Sequence, residues 1–337
     1  MSGAGQFIRG QLSTPQLPQV DLTGRTILVT GANSGLGLDA ARLLVQLNCS
    51  TIVLACRTLA KGDQAKETIL QSISSETRGR PQPTIIVFEL DLCSFPSVVA
   101  FSERCKDLPR LDAAILNAGI QRTEFTLVEG YEMTITVNVI STFLLASLLV
   151  PIMRNSAKKY NITPNLAIVG SAVHFAANDK EITTPAEGQI LNTVSDPKKA
   201  DMKGRYYLSK LMVMLLVKYL AARLTEAAKK DPANKPLVVV NNVAPGLCKT
   251  NFFQNYTPAP TKVLIGILGR SSEHGARTLV HGATAGRETH GQYLSECRVK
   301  NYSNFVKSAK GDQAAKRIWQ ELTALYEKIK PGCTREI

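Results

Sequence analysis

The sequence predicts a doubly wound α/β fold, one mostly parallel sheet flanked on both faces by helices. Three observations carry that expectation. Short β-branched runs alternate with helix-length segments along most of the 337 residues, a spacing that produces βαβ units and a parallel sheet. The strand candidates are almost continuously apolar, as strands covered on both faces must be. The first of them runs through a glycine-rich turn straight into a helix, and right-handed crossovers then place any ligand at the carboxyl ends of the strands.

The elements follow in order. Residues 1–22 form a loose N-terminal arm that lacks the apolar core of a signal peptide. "TILVT" (26–30), "STIVLA" (50–55), "TIIVFEL" (84–90), "AAILNA" (113–118), "NLAIVGS" (165–171) and "PLVVVNNV" (236–243) read as buried strands. Helix-length segments between and after them cover 36–47, 60–75, 95–107, 126–153 and 205–229. The stretch 177–204 is polar, contains Asp, Lys, Gly and Pro without periodicity, and reads as an inserted loop. The expected organisation is a single domain over 23–302, with that insert and a substrate loop at 250–270, followed by a helical tail at 303–337. The longest apolar stretch, 135–153, has about the length of a membrane span. It carries Asn138, Ser141, Thr142 and Ser147, which favours a buried core helix and no stable membrane insertion.

Composition narrows the function classes. Hydrophobic residues make up 44% and charged residues 20% of the chain, ordinary for a globular protein. The formal net charge is +13, but the basic residues are dispersed in pairs such as Lys158–Lys159 and Lys229–Lys230. Nucleic-acid binding needs a concentrated stripe and a recognition motif, so no nucleic-acid partner is expected. A diffuse positive field suits an anionic small molecule. The seven cysteines are odd in number and show no CxxC spacing. They point to reduced thiols in a cytoplasmic compartment, with no disulfide frame and no metal site.

Two stretches carry chemistry. In "ILVTGANSGLGLDAARLL", Gly31, Gly35 and Gly37 let backbone amides approach a pyrophosphate at a helix N-terminus, with Asn33, Ser34 and Leu36 completing the turn. Twenty residues after Gly37 the second strand ends in "LACRTLAKG". Nicotinamide-dinucleotide folds usually carry an acidic residue there for the ribose hydroxyl. Here Arg57 and Lys61 stand instead, and a guanidinium suits the 2′-phosphate of NADP. An exposed arginine opening a helix is the structural alternative. In "KGRYYLSKLM" (203–212), Tyr206 and Lys210 share a helix face at i, i+4, while Tyr207 is one residue out of register. An ammonium beside a phenol favours phenolate.

With its Gly-x-x-x-Gly-x-Gly turn, the chain resembles the short-chain dehydrogenase/reductase family over residues 23 to about 295. The resemblance implies a Rossmann fold, an NADP(H) cofactor and hydride transfer to or from a carbinol carbon. "LDL" (90–92) corresponds to the family's adenine-contacting pair, here Asp91 and Leu92. "LNAG" (116–119) supplies Asn117, Ala118 and Gly119 beside the cofactor, and "APGLCKT" supplies Pro245, Gly246 and Thr250 for the nicotinamide half. The catalytic set implied is Asn138, Ser171, Tyr206 and Lys210. Tyr206 acts as acid, Ser171 bonds the substrate oxygen, and Lys210 holds ribose and lowers the tyrosine pKa together with oxidised nicotinamide. Asn138 positions a relaying water. A strand-end serine capping a turn and a satisfied core amide are the alternative readings of Ser171 and Asn138.

Two departures matter. Ser171 and Tyr206 lie 35 positions apart, where compact members have about a dozen intervening residues, so 177–204 must loop out near the substrate. The longer spacing and the "ACR" strand end resemble retinol-dehydrogenase-like members, and the arm and "ETHGQYLSECRVK" resemble fungal secondary-metabolite reductases. His174 reads either as a pocket-lining group or as a loop histidine without a role. Phe252, Phe253, Tyr256, Val263, Leu264 and Ile267 suit a lipophilic ketone or alcohol, and the broadly apolar helices allow a homodimer. A ketoreductase is the leading expectation. A redox-neutral cyclase or epimerase, or a nucleotide sensor without turnover, are the alternatives.

Overall fold

Thr26–Thr30 form β1, buried along its whole length. In the computed structural model, which describes residues 10–11, 13–73, 81–250, 266 and 268–337, it lies inside an eight-stranded sheet. β2 (Thr51–Cys56) pairs parallel on one side of β1 and β4 (Ala113–Leu116) on the other, with β3 (Thr84–Glu89) beyond β2. β7 (Asn165–Val169), β8 (Val239–Ala244) and β9 (Tyr293–Ser295) continue the parallel array from β4, and only β10 (Arg298–Lys300) is antiparallel. The order is β10-β9-β8-β7-β4-β1-β2-β3. Strand order reverses between β1 and β4, the crevice where such sheets bind ligands.

Period-two side-chain alternation divides the core into two layers. Ile27 and Val29 of β1 join Ala40, Ala41 and Leu44 of α1 (Gly35–Gln46), Ile69 of α2 (Leu59–Ile73) and Leu279 of α8 (Ser272–Thr284) on one face. Leu28, Ala114 and Ile168 join α3 (Phe95–Cys105), α4 (Met133–Tyr160) and α7 (Arg205–Lys230) on the other. A last helix, α9 (Ala309–Ile329), packs Ile318, Trp319 and Leu322 into that second layer and donates the Tyr326 hydroxyl to Ile140 O at 2.8 Å. The segment 303–337 therefore shares the main core.

Some expected elements differ. The single helix expected over 126–153 is a hairpin and a later helix. β5 (Leu127–Val128) turns at Glu129 and Gly130, both with positive φ, into β6 (Tyr131–Glu132). Glu132 then starts α4, its carboxylate accepting Thr134 N–H at 2.9 Å and Ile135 N–H at 3.0 Å. The apolar run continues to Tyr160, so periodicity set neither end. Among the described residues one span, Met133–Tyr160, is long and apolar enough to cross a membrane, yet 94% of its most apolar 18-residue window is buried inside the protein, as a core helix would be. The inserted stretch holds two short helices, α5 (Lys180–Thr183) and α6 (Ile190–Val194), whose Ile182, Ile190 and Val194 are buried. Most of 250–270, with Phe252, Phe253, Tyr256, Val263, Leu264 and Ile267, lies outside the described residues.

Candidate active site

The ends of β1 and β4 meet through small residues. Gly31 has φ +64°, and a Cβ there would lie 3.1 Å from Ala118 Cα. Gly37 sits in the first turn of α1, where a Cβ would come within 2.3 Å of Gly31 O. Helix and strand end are therefore in direct backbone contact, and only glycine fits. Asn117 donates Nδ2 to Thr30 O at 2.9 Å, and Ala118 N–H donates to Thr30 Oγ1 at 2.9 Å, which fastens β4 to β1.

Ser34 precedes α1 in extended conformation and makes no capping bond, and no acidic side chain stands in the first turn. The amides of a 12-residue helix thus point into the crevice without a protein cap. That cradle, with Asn33 and Leu36 partly accessible beside it, fits an anionic pyrophosphate. Gly35 has φ +54°, and Thr250 Cγ2 lies 3.6 Å from the position of its missing Cβ. Thr250 and the helix start are brought together in this way, 215 positions apart in sequence.

Arg57 and Lys61 are exposed at the end of β2 and the start of α2. Asp91 Oδ1 accepts Cys93 N–H at 2.9 Å, and Leu92 is buried. The Cys93 thiol is pushed up chiefly by burial and then by Asp91, while the guanidiniums of Arg57 and Arg122 pull it down. Two arginines therefore act on one spot beside the β2 and β3 ends. Sequence reasoning missed Arg122; its signal was its place three residues past Gly119.

Gly119 links the cradle to the second cluster: a Cβ there would lie 3.0 Å from Asn138 Oδ1 and 3.8 Å from Lys210 Nζ. Asn138 lies in a π-helical turn, Thr136–Ser141, within α4, an irregularity frequent at functional sites. Its Nδ2 donates to Ile120 O at 2.8 Å and to Ser209 Oγ at 3.0 Å, and its Oδ1 accepts Ile120 N–H at 2.8 Å. Both amide protons are used, so the side chain has no donor left for a water and offers it only the second lone pair of Oδ1.

Ser171 follows β7 and caps a short 3-10 turn, Ala172–Ala176, its Oγ accepting Val173 N–H at 3.3 Å. The same side chain hydrogen-bonds the Tyr206 hydroxyl. One turn along α7, Lys210 is 5% exposed, donates to Val169 O at 2.8 Å, and has its Nζ 5.8 Å from the Tyr206 ring centroid. Burial lowers the Lys210 ammonium from 10.5 to about 8. Acidification of Tyr206 is the expectation with oxidised nicotinamide beside it; the cofactor-free protein lacks that charge. Burial holds the phenol above its ordinary range and the Ser171 hydrogen bond offsets only part of that. In this state Tyr206 is a firmly protonated acid. Tyr207 is 40% exposed, its ring centroid 6.4 Å from that of Tyr206.

Ahead of Tyr206, Arg205 is fully buried and pairs with Glu181 of the insert at 3.1 Å and with Glu132 at 3.6 Å. Hairpin, insert and the first turn of α7 are tied together there, a constellation no sequence pattern signalled. On the other side Pro245 and Gly246 (φ +79°) lead from β8. The arm was expected to be loose, but its described residue Gln11 is fastened to this turn. Gln11, 6% exposed, donates Nε2 to Leu247 O at 2.5 Å and Leu268 O at 2.9 Å, and accepts Leu247 N–H at 3.0 Å. Among the described residues no group of three metal-ligating side chains occurs.

The short chain dehydrogenase family matches residues 25–163. A short chain dehydrogenase/reductase of Cryptosporiopsis sp. is 38% identical over 94% of this chain and 95% of its own length. A short-chain dehydrogenase of Penicillium roqueforti is 36% identical over 97% of this chain and 84% of its own. A 3-oxoacyl (acyl-carrier-protein) reductase from Agrobacterium tumefaciens with NADP bound superimposes with a TM-score of 0.56 at 18% identity, covering 81% of this chain and 93% of that one. At that identity the superposition shows the fold.

Proposed function

The chain belongs to the short-chain dehydrogenase family and is an oxidoreductase, and from that premise we propose that it reduces the carbonyl of a lipophilic small molecule with NADPH. The single observation that carries this reading is the hydrogen bond between Tyr206 and Ser171 with Lys210 buried one turn away. When bound, the nicotinamide supplies the hydride that reaches the carbonyl carbon. Ser171 Oγ donates to the carbonyl oxygen as negative charge develops there. The Tyr206 proton passes to that oxygen, completing the alcohol and leaving a phenolate beside the Lys210 ammonium. The high pKa of the phenol in the unliganded protein keeps the proton in place until charge on the substrate oxygen draws it off.

Arg57 and Arg122, with Lys61 nearby and no acidic side chain at Cys56 or Arg57, support NADP(H) over NAD(H). Gly31, Gly35, Gly37 and the uncapped α1 take the pyrophosphate in this reading, and Pro245, Gly246 and Thr250 border the nicotinamide half. A ketone of fungal secondary metabolism and a cytoplasmic setting complete the proposal. The test is loss of NADPH absorbance over a panel of aryl and alkyl ketones, with NADH in parallel. Binding of NADPH without consumption by any carbonyl would replace this reading with a redox-neutral or sensing role.

A further inference from the structure

His174 stands three residues past Ser171, at the end of β7, and is 2% exposed. Its Nδ1 lies 2.8 Å from Ser171 O, and its own N–H reaches the same carbonyl at 3.3 Å. A carbonyl oxygen only accepts, so Nδ1 carries the proton. Nε2 is then bare, and it accepts Ser303 N–H at 3.3 Å. A proton on Nε2 would face that N–H and break the contact, so the neutral ring with the proton on Nδ1 is the single form that satisfies both neighbours. Burial lowers the pKa of His174 to about 4, which agrees with a ring that stays neutral.

The ring is also fixed in orientation. Phe175 lies against it at 4.1 Å between centroids, and Tyr293 of β9 meets it edge-on at 5.3 Å and 76°. Its anchor is itself held: Ser303 is 8% exposed, and neighbouring Tyr302 donates to Gly291 O at 3.0 Å. One imidazole thus joins the backbone of Ser171 to that of Ser303, 129 residues after the histidine itself.

We propose that His174 is a positioning residue for Ser171, a strut between the Ser171 carbonyl and the Ser303 backbone that holds Ser171 Oγ in register with Tyr206. This rests on the reading above, that Ser171 bonds the substrate oxygen. His174 touches no reacting group, since both its nitrogens are occupied by backbone. Its effect runs through the placement of Ser171, and misplacement of a polar group by about 1 Å costs up to about 100-fold in rate.

Three variants separate the strut from simple packing. His174→Phe keeps ring volume and loses both bonds. His174→Asn puts an amide donor where Nδ1 stands and loses the Ser303 anchor. His174→Gln reaches toward Ser303 with a carbonyl acceptor. Two measurements need no substrate. Nitrogen NMR of the unmodified protein should show one neutral ring protonated on Nδ1, and amide exchange over 171–176 should rise by roughly tenfold in His174→Phe and less in His174→Asn. With an accepted ketone, kcat of His174→Phe should fall about 10- to 100-fold, NADPH affinity should stay within about twofold, and His174→Asn should recover part of kcat. The proton on Nε2, unchanged exchange in His174→Phe, or an equal kcat loss in all three variants that follows their thermal stability would overturn the strut. If the unmodified protein reduces no carbonyl, the reading of Ser171 fails, and exchange and tautomer still decide whether His174 holds it.

Discussion

Lys210→Met should make the cofactor-free protein less pH-sensitive and, near neutrality, no less stable, while abolishing turnover. The ammonium is buried, makes no ion pair among the described residues, and has Val169 O as its acceptor. Its fall from 10.5 to about 8 corresponds to a burial cost of about 3 kcal/mol. Below pH 8 both the folded and the unfolded chain carry the proton, and the folded state bears that cost in full. Between pH 8 and 10.5 the unfolded chain binds a proton that the folded one has released, so stability rises with pH. Methionine removes the cost but leaves Val169 O short of a donor, which costs about 1–3 kcal/mol. At pH 7 the variant should therefore lie between parity and about 2 kcal/mol above the parent. At pH 9.5 the parent has recovered about 2 kcal/mol of its burial cost, and the difference should move against the variant by that amount. Titrations of tyrosine and cysteine common to both proteins largely cancel in the difference. Urea unfolding at the two pH values, with equal m-values, reads it directly. A Lys210→Met variant destabilised by the same amount at both pH values would show that burial of this charge carries no such cost.

Other outcomes follow from the same geometry. Tyr206→Phe removes one oxygen from the hydrogen bond to Ser171 and should lower kcat by at least about 10²–10⁴-fold with NADPH binding nearly intact. Tyr207→Phe should keep most activity, and the opposite ranking in a ketone assay would mean that the register is off by one residue. Arg57→Asp should weaken NADPH by about 10- to 100-fold, the value of a charge-assisted contact, and turn the preference toward NADH. Equal affinity of the unmodified protein for both cofactors, measured by fluorescence titration, would refute the role given to Arg57.

Local chemistry was legible in the sequence where it depends on neighbours along the chain. The turn at Gly31, Gly35 and Gly37 needs small residues at fixed offsets, and those offsets are visible. Tyr206 and Lys210 share a helix face, so their spacing could be read, and family likeness added Ser171 and Asn138. The parallel pairing of the strands also followed from alternation. What stayed hidden depends on distant partners. His174 looked idle because Ser303, which fixes its tautomer, comes from a segment beyond the last strand. Arg205 gave no signal in the sequence, because Glu132 and Glu181, which close around it, are distant in the chain. The helix expected over 126–153 absorbed a hairpin because Glu129 and Gly130 adopt positive φ inside a run that a helical period also accommodates. The depressed ammonium and the firmly protonated phenol are products of burial, and burial is a property of the assembled fold.

Gln11 has a bearing on how the molecule is made. Its partners at Leu247 and Leu268 follow it by 236 and 257 positions. Contacts of such sequence separation must wait for most of the chain and set late, because closing long loops comes before any reward from the contact. The Pro245–Gly246 turn therefore reaches its final shape only once synthesis has passed Leu268. A chain that ends before that point keeps Gly31, Gly35, Gly37 and Tyr206 but lacks the Leu268 carbonyl that Gln11 Nε2 holds.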